Sequence, residues 1–248
     1  MLIINGDDLG RNHEATVNTI ACYREGLITS ASAMVFMADS SRAAELVAAV
    51  GLETGLHLNL TLPFDGPEPP PLLVEYHLSL VKYYRRSKWA QVLYNPFLKK
   101  KLEYVFKAQY DEYRRLFGSE PAKIDGHHHM HLCINMVMDY IIPRGLRVRR
   151  NLSFEPHEKD IINRTYRRLI DAWLIRRYCC TDSFFSIEPV HDPQRLERIV
   201  RLGWSSDVEI MVHAEKAEQY SYLMSSEYRN LIAAIPKGTY RMFSSRLR

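Results

Sequence analysis

Residues 1–26 read MLIINGDDLGRNHEATVNTIACYREG. Leu2, Ile3 and Ile4 form a short apolar run that predicts a strand, and the chain turns acidic at Asp7 and Asp8. Ala15, Val17, Ile20 and Ala21 then recur at helical spacing until Gly26, a residue suited to ending a helix. A strand running into a helix is half of a βαβ unit. The same switch of period repeats along the chain. Residues 32–36 (SAMVF) predict a strand, 40–50 a helix, and 55–60 (GLHLNL) a strand with strict alternation. Strand signals return at 122–125, 146–148 and 208–212 (VEIMV), with helical segments between. Alternation of this kind predicts an α/β fold, with right-handed βαβ units around a parallel sheet or barrel.

Composition narrows the classes. At 248 residues and 46% hydrophobic, the chain can bury one large core or two small ones. A net charge of +4 is too mild to predict nucleic acid as a partner. Cys22, Cys133, Cys179 and Cys180 show no zinc-ribbon spacing, and two are adjacent, so a reducing cytoplasm is expected. No apolar run reaches the roughly 18 residues of a membrane span. The alternation is interrupted at about 64–120. A proline-rich loop (FDGPEPPPLL) leads there into a helical stretch over 75–118 with eleven aromatic residues. The aromatics predict either a satellite core or a face for a sugar ring or a second copy of the chain in a homodimer.

Ligands of parallel sheets and barrels sit at the carboxyl ends of the strands. Asp7 and Asp8, His57, Asp125 and His127, and His213 all fall there. Adjacent aspartates in extended chain face opposite sides, which predicts different jobs: one binds a cation and the other stands beside it as a base. Asp8, His57 and His127 would supply the two imidazoles and one carboxylate of a hydrolytic zinc or another divalent ion. The segment HHHMH (127–131) is ambiguous by period. His127, His129 and His131 share a side in extended chain, and His127 and His131 share one on a helix. Both admit His127, and either His129 or His131 could orient it. Bland readings compete: an Asp-Asp pair often serves as a turn or cap, and His57 would fit a core. GDDLGR lacks the GxGxxG spacing of a nucleotide loop.

Five segments, INGDDLG, REGLITSASAMV, GLHLNLT, DGHHHMH and EIMVH, together resemble the YdjC-type carbohydrate deacetylases, the ChbG/HpnK family, over about residues 2–214. The resemblance implies one deacetylase-like domain over 1–248, with a deformed (β/α) barrel-like fold related to the polysaccharide deacetylases and the aromatic-rich helical insertion at about 64–120. It implies one divalent metal on Asp8, His57 and His127, with zinc or magnesium expected first and cobalt or nickel acceptable. It also implies Asp7 as catalytic base and His213 as general acid, in hydrolysis of the N-acetyl group of an amino sugar, either an oligosaccharide such as chitooligosaccharide or a lipid-linked sugar. His129, His131 and Arg149 are then expected as substrate contacts or as partners that orient the ligands. Two departures are visible. The first loop reads DDLGRNHEATVN, and His213 is followed by Ala214-Glu215 where relatives carry Pro-Gly.

Three other functions compete. A metal-dependent phosphoesterase needs a second metal about 3.5–4 Å away, and no second carboxylate-rich set is evident in the sequence. A glycosidase built on Asp7 and Asp8 would have its carboxyls on one strand, poorly placed to flank a bond. A non-catalytic protein binding carbohydrate or a membrane surface would use residues 161–178, where Ile162, Leu169, Trp173 and Leu174 accompany five arginines and one aspartate.

Overall fold

The computed structural model describes residues 1–67, 69–154 and 161–242, with 161–164 and 166 as backbone only. Among the described residues six strands lie in one parallel sheet: β1 (Leu2–Leu9), β2 (Ser30–Ala33), β3 (Glu53–Leu58), β4 (Ile124–Gly126), β5 (Ser183–Ser186) and β6 (Val208–Val212). Their order is β4-β3-β2-β1-β6-β5. The sheet curls into a half-barrel, because segment 146–149 bonds toward both edges. Arg149 N donates to Ile124 O at 3.0 Å on one side, and Val148 N donates to Cys179 O at 3.0 Å on the other. The helices are α1 (His13–Arg24), α2 (Ser40–Val50), α3 (Pro71–Arg85), α4 (Lys99–Phe117), α5 (Ile134–Met138), α6 (Ile161–Leu174), α7 (Pro193–Leu202), α8 (Ala217–Met224) and α9 (Ser226–Ala233). No helix among the described residues is long and apolar enough to cross a membrane.

Several elements differ from the periodicity. β1 runs on through both aspartates instead of ending before them. β2 lies earlier than the predicted 32–36, because Thr29 N already donates to Ile4 O at 2.8 Å. Residues 146–148 make only isolated bridges. β5, SFFS, is too short to carry a period. The predicted helix over 75–118 is two helices joined by 3-10 turns at Lys88–Gln91 and Pro96–Leu98. Pro96 cannot sit in a helix interior, and it disfavours helical backbone at Asn95. Ile162 of the arginine-rich segment lies outside the described side chains.

The two insertion helices position the site. Leu73, Leu80, Tyr84, Leu102 and Phe106 share one buried cluster with Leu58, Ile124 and Met130 of the barrel. Beyond β3, Gln109 of α4 accepts from Asn59 N at 2.8 Å and donates to Asn59 O at 2.8 Å. His77 of α3 also bonds Asn59 O, at 3.1 Å, and stacks on Phe64 with ring centroids 3.6 Å apart. The chain that leaves His57 is thereby held by both helices.

Gly55 of β3 sits against β4: a Cβ there would lie 2.6 Å from Lys123 Cγ and 2.7 Å from Lys123 O. The backbone oxygen cannot move without breaking the ladder. Gly55→Ala is therefore expected to cost about 1–3 kcal/mol, read from urea unfolding; an unchanged midpoint would show that β3 and β4 have room to separate.

His77 gives a pH signature. Burial drives its pKa from 6.5 to about 4, despite the bond its ring donates to Asn59 O. Its folded pKa is depressed, so the unfolded chain takes up the proton first as pH falls. Stability present above pH 6.5 is lost toward pH 4, by about 3 kcal/mol at 1.36 kcal/mol per unit. His77→Gln should flatten that part of the pH–stability curve; a curve identical to the parent's would assign the acid sensitivity elsewhere.

Candidate active site

The site begins with a bulge. Gly6 pairs with Ala31 and Leu9 with Ala33, so β1 takes three steps where β2 takes two. One extra residue is accommodated there, and Asp8 absorbs it with φ 62. Aspartate is among the few residues that enter left-handed backbone at modest cost. The bulge overturns the expectation from simple alternation that the two carboxylates face opposite sides. Asp8 Oδ1 lies 3.1 Å and Asp7 Oδ2 4.0 Å from the same atom, His57 Nε2.

Asp8, His57 and His127 come together as a buried triad whose ligand atoms lie within 4.8 Å of one another. His127 Nδ1 is 2.8 Å from Asp8 Oδ1. The other nitrogen of His57, Nδ1, donates to Asp125 Oδ1 at 2.8 Å. A carboxylate cannot donate back, so the proton is held on Nδ1 and Nε2 is turned toward Asp8, the arrangement that prepares an imidazole for a metal. Burial opposes a charge on His57, but the carboxylates of Asp125 and Asp7 outweigh it and push the pKa up to about 10. The pocket attracts positive charge. Its buried groups explain this: among the described residues, four buried carboxylates (Asp7, Asp8, Asp125, Glu209) stand with two buried fixed cations, Lys123 and Arg149. Two negative charges are left in excess. A divalent cation held by the triad would balance them, and the donors present, two nitrogens and an oxygen, are of the kind that zinc and its neighbours accept.

Asp7 has different partners. Arg149 grips it through two bonds, Nη1 to Oδ2 and Nη2 to Oδ1, each 2.7 Å, and Asn5 Nδ2 donates to Oδ1 at 2.7 Å. Burial raises its pKa, but Arg149 and His57 bring it down to about 2. Near neutral pH it is an ionised, oriented carboxylate. Arg149 itself is fully buried and also bonds Asp125 and Glu209, so its contacts are protein carboxylates. Lys123 spans Asp125 and Glu209 from the other side. Lys123 and Glu209 are the residues that sequence reasoning missed, and Asp125, already placed at a strand end, had been given no role. Their signal was present as charges within strand-like runs: Lys123 and Asp125 flank Ile124, and Glu209 interrupts the apolar VEIMV.

The histidine run follows neither period. Residues 127–132 form a 3-10 turn in which His128 and His129 take φ of 54 and 58. His128 is exposed and bonds Thr61 Oγ1 at 3.0 Å. His129 meets Phe184 edge-on, and burial followed by Arg149 lowers its pKa to about 3. His131 is buried beneath, with Nε2 at 3.0 Å from Arg149 O. It ties the histidine turn to the segment that carries Arg149. Gly126 makes the turn feasible, since a Cβ there would fall 2.9 Å from His131 N.

On the opposite side, His213 and Glu215 close on Asp8, with ligand atoms again within 4.8 Å. Burial lowers the His213 pKa against the pull of Asp7 and Asp8. Glu215 has a buried, unpartnered Oε2, and burial, followed by Asp8, raises its pKa to about 7. Arg11 reaches in between them, 3.1 Å from Asp8 Oδ2 and 4.0 Å from Glu215 Oε1. Both sequence departures, in the first loop and after His213, therefore meet at one rim.

The chitooligosaccharide deacetylase of Salmonella typhimurium LT2 is 28% identical over 224 residues, covering 81% of this chain and 84% of that protein. The enzyme of the same name from Escherichia fergusonii is 29% identical over 165 residues; the match takes in 65% of this chain and 63% of the relative, somewhat under two thirds of its length. A crystal structure of a candidate cellobiose-phosphate cleavage protein from Enterococcus faecalis V583 superposes with TM-score 0.66 at 21% identity, over 98% of both chains, and bears out the barrel-like fold. The family model described as YdjC-like protein matches residues 1–234, and the chain belongs to that family.

Proposed function

We propose that this protein is a metal-dependent carbohydrate N-deacetylase that removes the acetyl group from an amino sugar. The observation that carries the reading is the convergence of three kinds of group on one point: the Asp8–His57–His127 triad, the Arg149-held carboxylate of Asp7, and His213 across from them. The names of the relatives add chitooligosaccharide as a substrate class. A lipid-linked N-acetyl sugar presents the same acetamide.

Asp8, His57 and His127 would hold the divalent ion. Such an ion supplies Lewis acidity, which polarises an acyl oxygen and makes water acidic near neutral pH. Asp7 acts as the base. Because Arg149 and Asn5 fix both of its oxygens, it meets the incoming water in one orientation and in its ionised form. His213 acts as the acid: its depressed pKa makes its protonated form a ready donor to the departing amine, while the nearby Asp7 and Asp8 sustain that form transiently. His131 holds the turn that carries His127, and Asp125 fixes the tautomer of His57.

A second reading, phosphoester hydrolysis, has one observation in its favour. Asp8, His213 and Glu215 form a second possible ligand set that shares Asp8 with the first. The guanidinium of Arg11 already supplies positive charge between Asp8 and Glu215, which favours a single ion and the deacetylase.

Metal-stripped protein, reloaded with single divalent metals, is expected to release acetate from N-acetylated mono- or oligosaccharides. Asp7→Asn should lower kcat by about 10²–10⁴ while still binding metal, whereas His57→Gln should lose the metal itself. If no metal gives acetate although the protein binds one, the site stands and the reaction is wrong.

Metal analysis of the reloaded protein should return one ion per chain. Two ions per chain, with one lost in Glu215→Gln, would favour the phosphoesterase instead.

A further inference from the structure

The stretch from 82 to 101, KYYRRSKWAQVLYNPFLKKK, holds seven basic residues and no acidic one. It covers the end of α3, the two 3-10 turns and the start of α4. The segment is anchored: Ala90 and Leu98 are buried, and Asn95 N donates to Asn135 Oδ1 at 3.2 Å while Asn135 Nδ2 donates to Asn95 O at 2.8 Å. It nevertheless turns its largest apolar side chains outward. Phe97 is 86% exposed, Trp89 60% and Leu93 58%.

The apolar surface continues beyond the segment. Tyr94 Oη donates to Asp139 Oδ1 at 2.8 Å, which brings the turn carrying exposed Met138 and Tyr140 alongside. The same stretch carries Arg85, Arg86, Lys88, Lys99 and Lys100, all exposed, with Lys88 Nζ 5.7 Å from the Trp89 ring centroid. Arg177 lies over the Tyr140 ring at 4.3 Å. Large exposed apolar groups gathered in one place mark an interaction surface rather than ordinary scatter.

We infer that this tip of the helical insertion docks on an anionic lipid surface, with Phe97, Trp89 and Leu93 entering the headgroup boundary and the basic residues pairing with lipid phosphates. Charge decides between occupants. A second copy of the chain would set seven cations against seven. Nucleic acid would meet the cations and leave Phe97 and Leu93 in water. An anionic bilayer satisfies both, since aromatic and aliphatic groups lower into the interface and each nearby cation adds attraction. The inference is independent of the reaction proposed above, because it uses none of the site residues.

The test is sedimentation of the full chain with vesicles of equal phosphatidylcholine and phosphatidylglycerol, or of phosphatidylcholine alone, without substrate. The parent should bind the mixed vesicles at low salt, with a blue shift of tryptophan emission, and release them at about 1 M salt, where the screening length is about 3 Å. Arg85→Gln/Lys99→Gln/Lys100→Gln should bind about a hundredfold more weakly. Trp89→Ser/Phe97→Ser should bind at least tenfold more weakly, with an unchanged thermal midpoint, since both side chains are exposed. Absence of binding by the parent, or equal binding to phosphatidylcholine alone, overturns the inference. So does a concentration-dependent dimer that the Phe97 substitution abolishes, because it gives the face to a second copy.

Discussion

The guanidinium of Arg149 lies inside the half-barrel, out of contact with water, and the structure is arranged around it. Asp7 comes from β1, Asp125 from β4 and Glu209 from β6, and each bonds to it. A buried arginine costs several kcal/mol unless its bonds are nearly complete, and removing one member of such a pair typically costs 3–5 kcal/mol. Three strands are therefore tied to one point on segment 146–149. The curl of the sheet and the placement of the site have the same origin.

That network divides the acidic groups between two tasks. Asp7 spends both oxygens on Arg149 and Asn5 and stays ionised. Asp8, one residue on, is turned by the bulge toward His57 and His127 and keeps an excess of negative charge that a cation can balance. His57 joins the two halves, with Asp125 behind it and Asp8 in front. A carboxylate–imidazole pair of this kind sets which nitrogen is free.

The insertion between β3 and β4 does more than fill space. Gln109 and His77 hold the backbone just beyond His57 from two different helices, so the aromatics of the insertion divide by role. Tyr84 and Tyr113 are buried, one in the core shared with the barrel and the other against β3, while Trp89 and Phe97 face outward at the far tip. The buried members join the barrel's own core instead of forming a satellite one, and the exposed members lie apart from it on the surface.

Much of this was legible in the residues. The period switches gave the α/β class, and the recurrence of Asp and His at strand ends gave Asp7, Asp8, His57, His127 and His213 as the groups to watch, since strand ends are where a parallel sheet presents its side chains. The chain alone also contained the charges inside VEIMV and KID, but a charge within a strand does not name its partner. Tertiary structure decided the rest. It placed Arg149 against Asp7, 142 residues away, and it converted an alternating strand into a bulge that aims two neighbouring carboxylates at one imidazole. Left-handed backbone at His128 and His129 made the periodicity of that run irrelevant. Periodicity reports which way a regular element faces. Bulges, tight turns and buried ion pairs are set by contacts between segments far apart in the chain, and only the folded molecule brings them together.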